Sequence, residues 1–380
     1  EGKDVKLIDL VNLVRPVPTQ RNATALQQLV AGTLRNTATW EAKLSQAGED
    51  ETDKAAAKAT AWTELLRTGK LGYMALLRNL RNLLETDLAE DDFALLLAQL
   101  TDERAIRRSL QFPFRFLSAY AEVEKLKRNE SGNNQRSKPL RFLSRVRVEE
   151  QSWEKQTRVQ RVLEALELAV NVSVKNLPEL TGKTAILTDN SGSMRGDSGG
   201  SSAVAAMSKR TTADIANLFA VLFRQRCEKT YIGLFGDRLV DGDFNPRGGV
   251  FENFSRINRR GGTCGPGTET GIFHFFERLL AQKEMVDRIV IFSDMQIGKR
   301  CSWYTNEGRR GSDFMALYER YRKLNPAVRV YSVDLRGYGT TVFKNGEYKI
   351  AGWSDKIFEI MDRCEQDPRA MLTAIRSVEL

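Results

Sequence analysis

The sequence predicts an α-helical N-terminal part over residues 1–180, followed by a doubly wound α/β domain over 181–380. Three observations carry this. In the first part, apolar residues recur at three- and four-residue spacing and strand signals are scarce, as in helices that bury one face. In the second, short runs of β-branched and aromatic residues alternate with helical stretches, as in a parallel sheet covered on both faces. The third is the run Asp189-Asn190-Ser191-Gly192-Ser193, which closes one of those apolar runs. It puts polar chemistry at the edge where open α/β sheets bind ligands.

Taken in order, the helical periods fall over 24–44, 55–67, 73–84, 91–100 and 156–170. Leu76, Leu77, Leu80, Leu83 and Leu84 make the clearest stripe, and such a stripe is read as core. Pro16, Pro18, Pro113, Pro139 and Pro178 lie between these segments, where proline breaks helices. No strict repeat period is visible, so a helical solenoid follows only from the pairing of helices. Strands are expected over 183–189, 231–235, 288–294 and 328–335, and helices over 211–227, 268–280 and 312–324. The turn-rich stretch 237–258 suits a hairpin at the sheet edge. Residues 353–380 read as the end of a last strand followed by one or two closing helices.

The run Asp189-x-Ser191-x-Ser193 supplies one carboxylate and two hydroxyls at alternate positions. Hard divalent cations such as Mg²⁺ take oxygen ligands, often with waters completing the shell. One anion with two neutral hydroxyls leaves such an ion electrophilic, free to accept an outside carboxylate or phosphate. The plainer alternative is a turn whose Asp and Ser cap the next helix. Two further segments bear on this choice: the loop Gly261-Gly262-Thr263-Cys264-Gly265-Pro266-Gly267-Thr268, and the run Arg288-Ile289-Val290-Ile291-Phe292-Ser293-Asp294. Their order resembles the metal-ion-dependent adhesion site of von Willebrand factor A (Rossmann-like) domains. That resemblance implies a Mg²⁺ (or other divalent cation) ligand set of Asp189, Ser191 and Ser193, with Thr263 and Asp294. Cys264 stands where the family suggests a polar residue.

Charge is unevenly placed. The chain has 58 basic and 49 acidic residues, a net charge of +9. The window 104–147 alone holds twelve basic against three acidic residues, a surplus equal to that of the whole chain. Its candidate phosphate contacts are Arg107, Arg108, Arg115, Lys125, Lys127, Arg128, Arg136, Lys138, Arg141, Arg145 and Arg147. Phe112, Phe114, Phe116, Tyr120 and Phe142 are interleaved. They can stack on unpaired bases, although the bland reading turns most of them toward the core and leaves the charges as a solvated face. The polar stretch 130–135 reads as a flexible loop.

The segments Ala61-Trp62-Thr63-Glu64-Leu65-Leu66 and Tyr73-Met74-Ala75-Leu76-Leu77-Arg78-Asn79-Leu80-Arg81-Asn82 resemble the TROVE module of the Ro autoantigen family. In that family a ring of helical (HEAT-like) repeats is joined to a von Willebrand factor A domain. The stretches 183–194 and 351–353 also resemble that domain. The resemblance implies a bacterial-type relative with a shortened helical part. It also implies binding of small structured Y-like RNAs or single-stranded ends of misfolded RNAs, in RNA quality control or processing. An RNA-processing enzyme or another protein is then expected at the metal site.

Enzyme signatures are weak. His274 is the one histidine, and it reads as a core residue of a buried helix. Cys227, Cys264, Cys301 and Cys364 lack metal-binding spacing. Gly182-Lys183-Thr184 lacks the upstream glycine of a phosphate-binding loop, and 196–202 reads as a linker. With no apolar run long enough for a membrane span, no membrane partner and a cytoplasmic setting are expected. Two functional readings stay open: a non-enzymatic RNA-binding scaffold, or a metal-dependent protein-binding module whose partner supplies a carboxylate.

Overall fold

The order of elements follows the alternation of helix and strand signals. A computed structural model describes residues 7–34, 39–49, 54–133, 142–196, 202–203, 210–267, 270–297, 314–339, 343, 347–354, 356–367, 369 and 376. The side chains of 7, 46, 48, 49, 55 and 128–153 lie outside that description. By packing, the chain divides into two compact units: Glu1–Gly72 with Glu85–Leu96, and Tyr73–Leu84 with Leu97–Leu380.

The first unit holds helices α1 (Leu7–Val14), α2 (Ala23–Val30), α3 (Trp40–Glu49) and α4 (Lys54–Arg67). The helix expected over 24–44 is in fact two. Gly32 adopts φ +67°, and the amide of Thr33 turns back 2.8 Å to the Gln28 carbonyl. Glycine closes helices in this way because the left-handed conformation costs it nothing. Trp40 and Trp62 stack across α3 and α4 with centroids 6.3 Å apart. Arg67 grips Asp92 through two bonds of 2.6 and 2.9 Å.

Helices α5 (Tyr73–Glu85), α6 (Glu90–Thr101), α7 (Glu103–Ser109), α8 (Pro113–Asn133) and α9 (Phe142–Val174) follow. The charged window hides two helices that periodicity missed. Asp102 caps α7 by accepting from the Ala105 amide at 2.9 Å. Pro113 starts α8 instead of breaking a helix, since proline at the first helical position gives up no bond. Residues 130–133, expected as loop, are the last turn of α8.

The sheet domain continues with β1 (Leu180–Asp189), α10 (Gly192–Arg195), α11 (Thr212–Arg226), β2 (Cys227–Phe235), β3 (Leu239–Asp241) and α12 (Val250–Gly261). It ends with α13 (Gly271–Gln282), β4 (Arg288–Ser293), α14 (Phe314–Leu324), β5 (Arg329–Asp334), β6 (Tyr348–Ala351) and α15 (Lys356–Gln366). The strand order is β3-β2-β1-β4-β5-β6. All pairs are parallel except β2 with β3, which forms the expected edge hairpin. Composition around 237–258 concealed α12, whose backbone enters the helix at Gly249. A Cβ at Gly249 would lie 2.1 Å from Glu167 Oε1. That space lets the Glu167 carboxylate accept from the Phe251 amide at 3.1 Å, tying α9 to the start of α12.

Helix α11 is buried throughout from Thr212 to Phe223. Its Phe219 stacks on Phe292 of β4 at 4.8 Å and meets Phe112, just before α8, at 5.5 Å. Phe114 packs on Trp353 at 4.9 Å, Phe116 on Tyr73 at 6.0 Å and Tyr120 on Phe251 at 4.4 Å. Phe116 is therefore core and the half-buried Phe112, Phe114 and Tyr120 turn toward it, as the bland reading had it, while the side chain of Phe142 lies outside the described residues. On the other face, α13 turns Ile272, Phe273, Phe275, Phe276 and Leu279 inward. That period leaves His274 exposed, so the expectation of a core histidine is corrected. Among the described residues no helix is long and apolar enough to cross a membrane.

At the amino end of the strands, buried Arg288 binds Glu365 of α15 at 2.8 and 2.5 Å, the Thr181 carbonyl at 2.6 Å and Thr184 Oγ1 at 2.9 Å. Removing one partner of a buried pair strands the other charge. Glu365→Ala is expected to lower unfolding stability by about 3–5 kcal/mol, and Arg288→Met combined with Glu365→Leu by less. Urea denaturation of the single and double variants checks this, and a double variant no better than the single contradicts it.

Candidate functional site

The sheet order runs outward from β1 and β4 in both directions, which opens a crevice at their carboxyl ends. Asp189 ends β1, Ser293 ends β4, and Asp294 follows it. Asp189 is fully buried. Its Oδ1 accepts from the Ser191 amide at 2.9 Å and its Oδ2 from the Ser293 hydroxyl at 2.6 Å. Those donors are neutral, so the charge has no counter-ion in them. Burial foremost, with the neighbouring Asp294 carboxylate adding to it, pushes the Asp189 carboxyl up to about 6.

Ser191 is buried and Ser193 exposed, and their Oγ atoms lie 3.4 Å apart at the mouth of the crevice. Asp294 is 2% exposed and accepts from the Gln296 amide at 3.1 Å. The next residue, Met295, is held at φ +59°. A left-handed, buried, non-glycine residue stores strain that surrounding structure must hold. Asp189, Ser191, Ser193 and Asp294 thus meet at one edge of the sheet.

The second loop reaches the same edge, since the Gly192 amide donates to the Pro266 carbonyl at 2.9 Å. Thr263 itself is exposed, and its hydroxyl donates to the Arg260 carbonyl at 2.7 Å. Thr268 lies outside the described residues. Cys264 is fully buried, and burial pushes its thiol up to about 12, which marks a packing residue.

Sequence reasoning missed what holds the first loop in place. Asn190 donates to the Thr188 carbonyl at 3.1 Å and accepts from Asn217 at 2.9 Å and Arg195 at 3.0 Å. Asn217 also donates to Asn258 Oδ1 at 3.0 Å, and Asn258 to Asp214 Oδ1 at 3.0 Å. Asp214 completes the capping box of α11 with Thr211. Gly261 must lack a side chain, because a Cβ there would sit 2.1 Å from Asn190 Oδ1. One signal was available: three asparagines and an aspartate placed within or beside strongly apolar segments.

The basic candidates are dispersed. Arg107 and Arg108 lie exposed at the end of α7, where Arg107 pairs with Glu103 at 2.7 Å. Lys125 pairs with Glu122, and Lys127 reaches Gln160 at 3.1 Å. Arg115 lines a groove between α5 and α8, of about 290 Å³, together with Arg78 and Arg81 from α5. Arg136, Lys138 and Arg141 lie outside the described residues, as do the side chains of Arg128, Arg145 and Arg147. Arg78 and Arg81 escaped the sequence reading because they sit outside the basic window.

The raised Asp189 value sets a sign for pH dependence. Between its ordinary 3.8 and about 6, the unfolded carboxyl has lost its proton while the folded one keeps it. Wild-type stability contributed by this group therefore falls as pH rises through that window, by about 3 kcal/mol in total. Thermal unfolding in chelator should show Asp189→Asn gaining on wild type from pH 4 to 7. A difference that stays flat across this range removes the buried charge from the account.

Residues 23–182 match the family model for the TROVE domain. Over 93 residues the chain is 44% identical to telomerase protein component 1 of Mus musculus and 41% identical to that of Rattus norvegicus. Each match covers 24% of this chain and only 3% of the relative's length. The crystal structure of the Ro (RSR) protein of Deinococcus radiodurans superposes with a TM-score of 0.54, covering 93% of this chain and 69% of that one. At 16% identity this likeness shows the fold alone. The chain thus joins a stretch that matches the TROVE domain, residues 23–182, to a doubly wound α/β domain.

Proposed function

We propose that this chain is a non-enzymatic RNA-binding scaffold working in the cytoplasm, whose sheet domain carries a von Willebrand factor A-type metal site. The observation that carries the reading is the coincidence of the TROVE match with the exposed Arg78, Arg81 and Arg115 of α5 and α8, which line one groove. Guanidinium groups bind phosphate sequence-independently, and affinity then follows salt through counterion release. Small structured RNAs with unpaired ends are the ligand class, in RNA quality control or processing.

The donor set at the crevice fits Mg²⁺. It is all oxygen, and it joins two carboxylates whose repulsion a cation offsets with two serine hydroxyls. Asp189, Ser191, Ser193 and Asp294 would hold the ion. Thr263 joins them only if its hydroxyl leaves the Arg260 carbonyl. The ion's chemistry is to accept an outside oxygen ligand, such as a carboxylate of an RNA-processing enzyme or another docking protein.

Sequencing RNA that co-purifies with the full chain, followed by titration at several salt concentrations, tests the RNA reading. No bound RNA, or affinity independent of salt, would sink it. For the metal, Mg²⁺ is expected to raise the unfolding midpoint of wild type at neutral pH and leave Asp189→Ala unmoved. RNA affinity should change by less than about tenfold, or about 1.4 kcal/mol, between Mg²⁺ and EDTA. A larger matched loss in EDTA and in Asp189→Ala would show the ion itself gripping RNA.

A further inference from the structure

The groove between α5 and α8 combines two features that a solvated helix surface does not need. Its floor is apolar, made by Met74, Leu77, Leu80 and Ala119, and Met74 stays 46% exposed there. Its walls carry Arg78 and Arg81, one turn apart on α5, and Arg115 on α8. Residues three apart lie on one helix face, so both α5 guanidiniums address the same opening. Arg78 and Arg115 make no ion pair among the described residues, and the one acid in the lining, Glu122, pairs with Lys125. Arg78 and Arg115 thus bring like charges to a cavity whose one acid is engaged by Lys125, an arrangement suited to a bound anion.

We propose that this groove seats one unpaired base of a single-stranded RNA, with the adjoining phosphate on Arg78 and Arg115. The proposal rests on the RNA-binding reading above and gives it a place. An extruded base offers a flat apolar face, which covers the Met74–Leu77 floor and stacks against guanidinium planes. Carboxamides at Asn82 and Gln111 stand in the lining as polar contacts for the base edge. A duplex keeps its bases stacked and cannot fill the floor, so the groove selects single strands. An acidic peptide would satisfy the arginines and leave the apolar floor uncovered.

The test uses the full chain in EDTA, with a fluorescein-labelled oligouridylate, an RNA duplex of equal length and an oligoglutamate peptide. Arg78→Ala combined with Arg115→Ala is expected to weaken oligouridylate binding about tenfold or more. It should also flatten the log–log salt slope by about 0.7 for each phosphate that the variant no longer holds. Met74→Ala is expected to weaken the same probe with the slope unchanged, because it removes apolar surface under the base and keeps every charge. Thermal unfolding verifies that these exposed substitutions leave the fold intact. Equal losses on oligouridylate and duplex would overturn the base-seating role, as would oligoglutamate binding tighter than oligouridylate. Unchanged oligouridylate affinity in both variants overturns the groove while the RNA-binding reading stands. Failure of the wild type to bind either RNA defeats the reading beneath it.

Discussion

A carboxylate buried without a counter-ion is the constraint around which the sheet domain is arranged. An isolated charge in a protein interior costs far more than any single packing contact returns. Asp189 is placed there by topology, since β1 lies at the reversal of strand order and its end faces the crevice shared with β4. Two consequences follow. The donors that approach it, the Ser191 amide and the Ser293 hydroxyl, are neutral and relieve little charge, and a second carboxylate stands beside it. Backbone on both sides is fixed by neighbours instead of by the charge: the Asn190–Asn217–Asn258 chain on one side, and the left-handed Met295 on the other. Such preorganisation is the pattern expected where a cation completes the electrostatics.

The same arrangement explains why α11 is buried on every face. The helix must bring Asn217 beneath the loop while presenting Phe219 and Phe223 to β4 and α15. Covering its outer side then falls to α9, α12 and the aromatics at the start of α8. Phe112, Phe114 and Tyr120 therefore join helices to the sheet domain, and in the proposed RNA complex guanidinium planes would meet the bases instead.

Much of this was legible in the sequence. Apolar runs ending in acids placed the carboxyl ends of β1 and β4 to within a residue, because buried parallel strands leave a continuous signal, although β1 begins three residues earlier than expected. The D-x-S-x-S run was legible because its chemistry is contiguous. The asparagine chain was not, since its members lie 27 and 41 residues apart and each alone reads as a turn former. Helices α8 and α12 were hidden by charge and by turn-forming neighbours, and tertiary packing decided them. The groove needed two helices whose arginines sit more than thirty residues apart, so a charge count along the chain found only Arg115.

The two candidate sites obey different electrostatics, and this decides how each can be regulated. The crevice lies in a low-dielectric setting, where salt screens weakly and a small change in charge is felt strongly. A cation bound there, as proposed, would answer to its own concentration and to pH. The groove is open to water, so its attraction for polyanions is screened within about 10 Å at 0.1 M salt. Its occupancy answers to ionic strength and to whether a strand offers an unpaired base. On the proposed reading, the helices would hold or release RNA while the crevice kept its charge for a protein partner. A scaffold that must keep RNA and protein contacts independent is served by that separation.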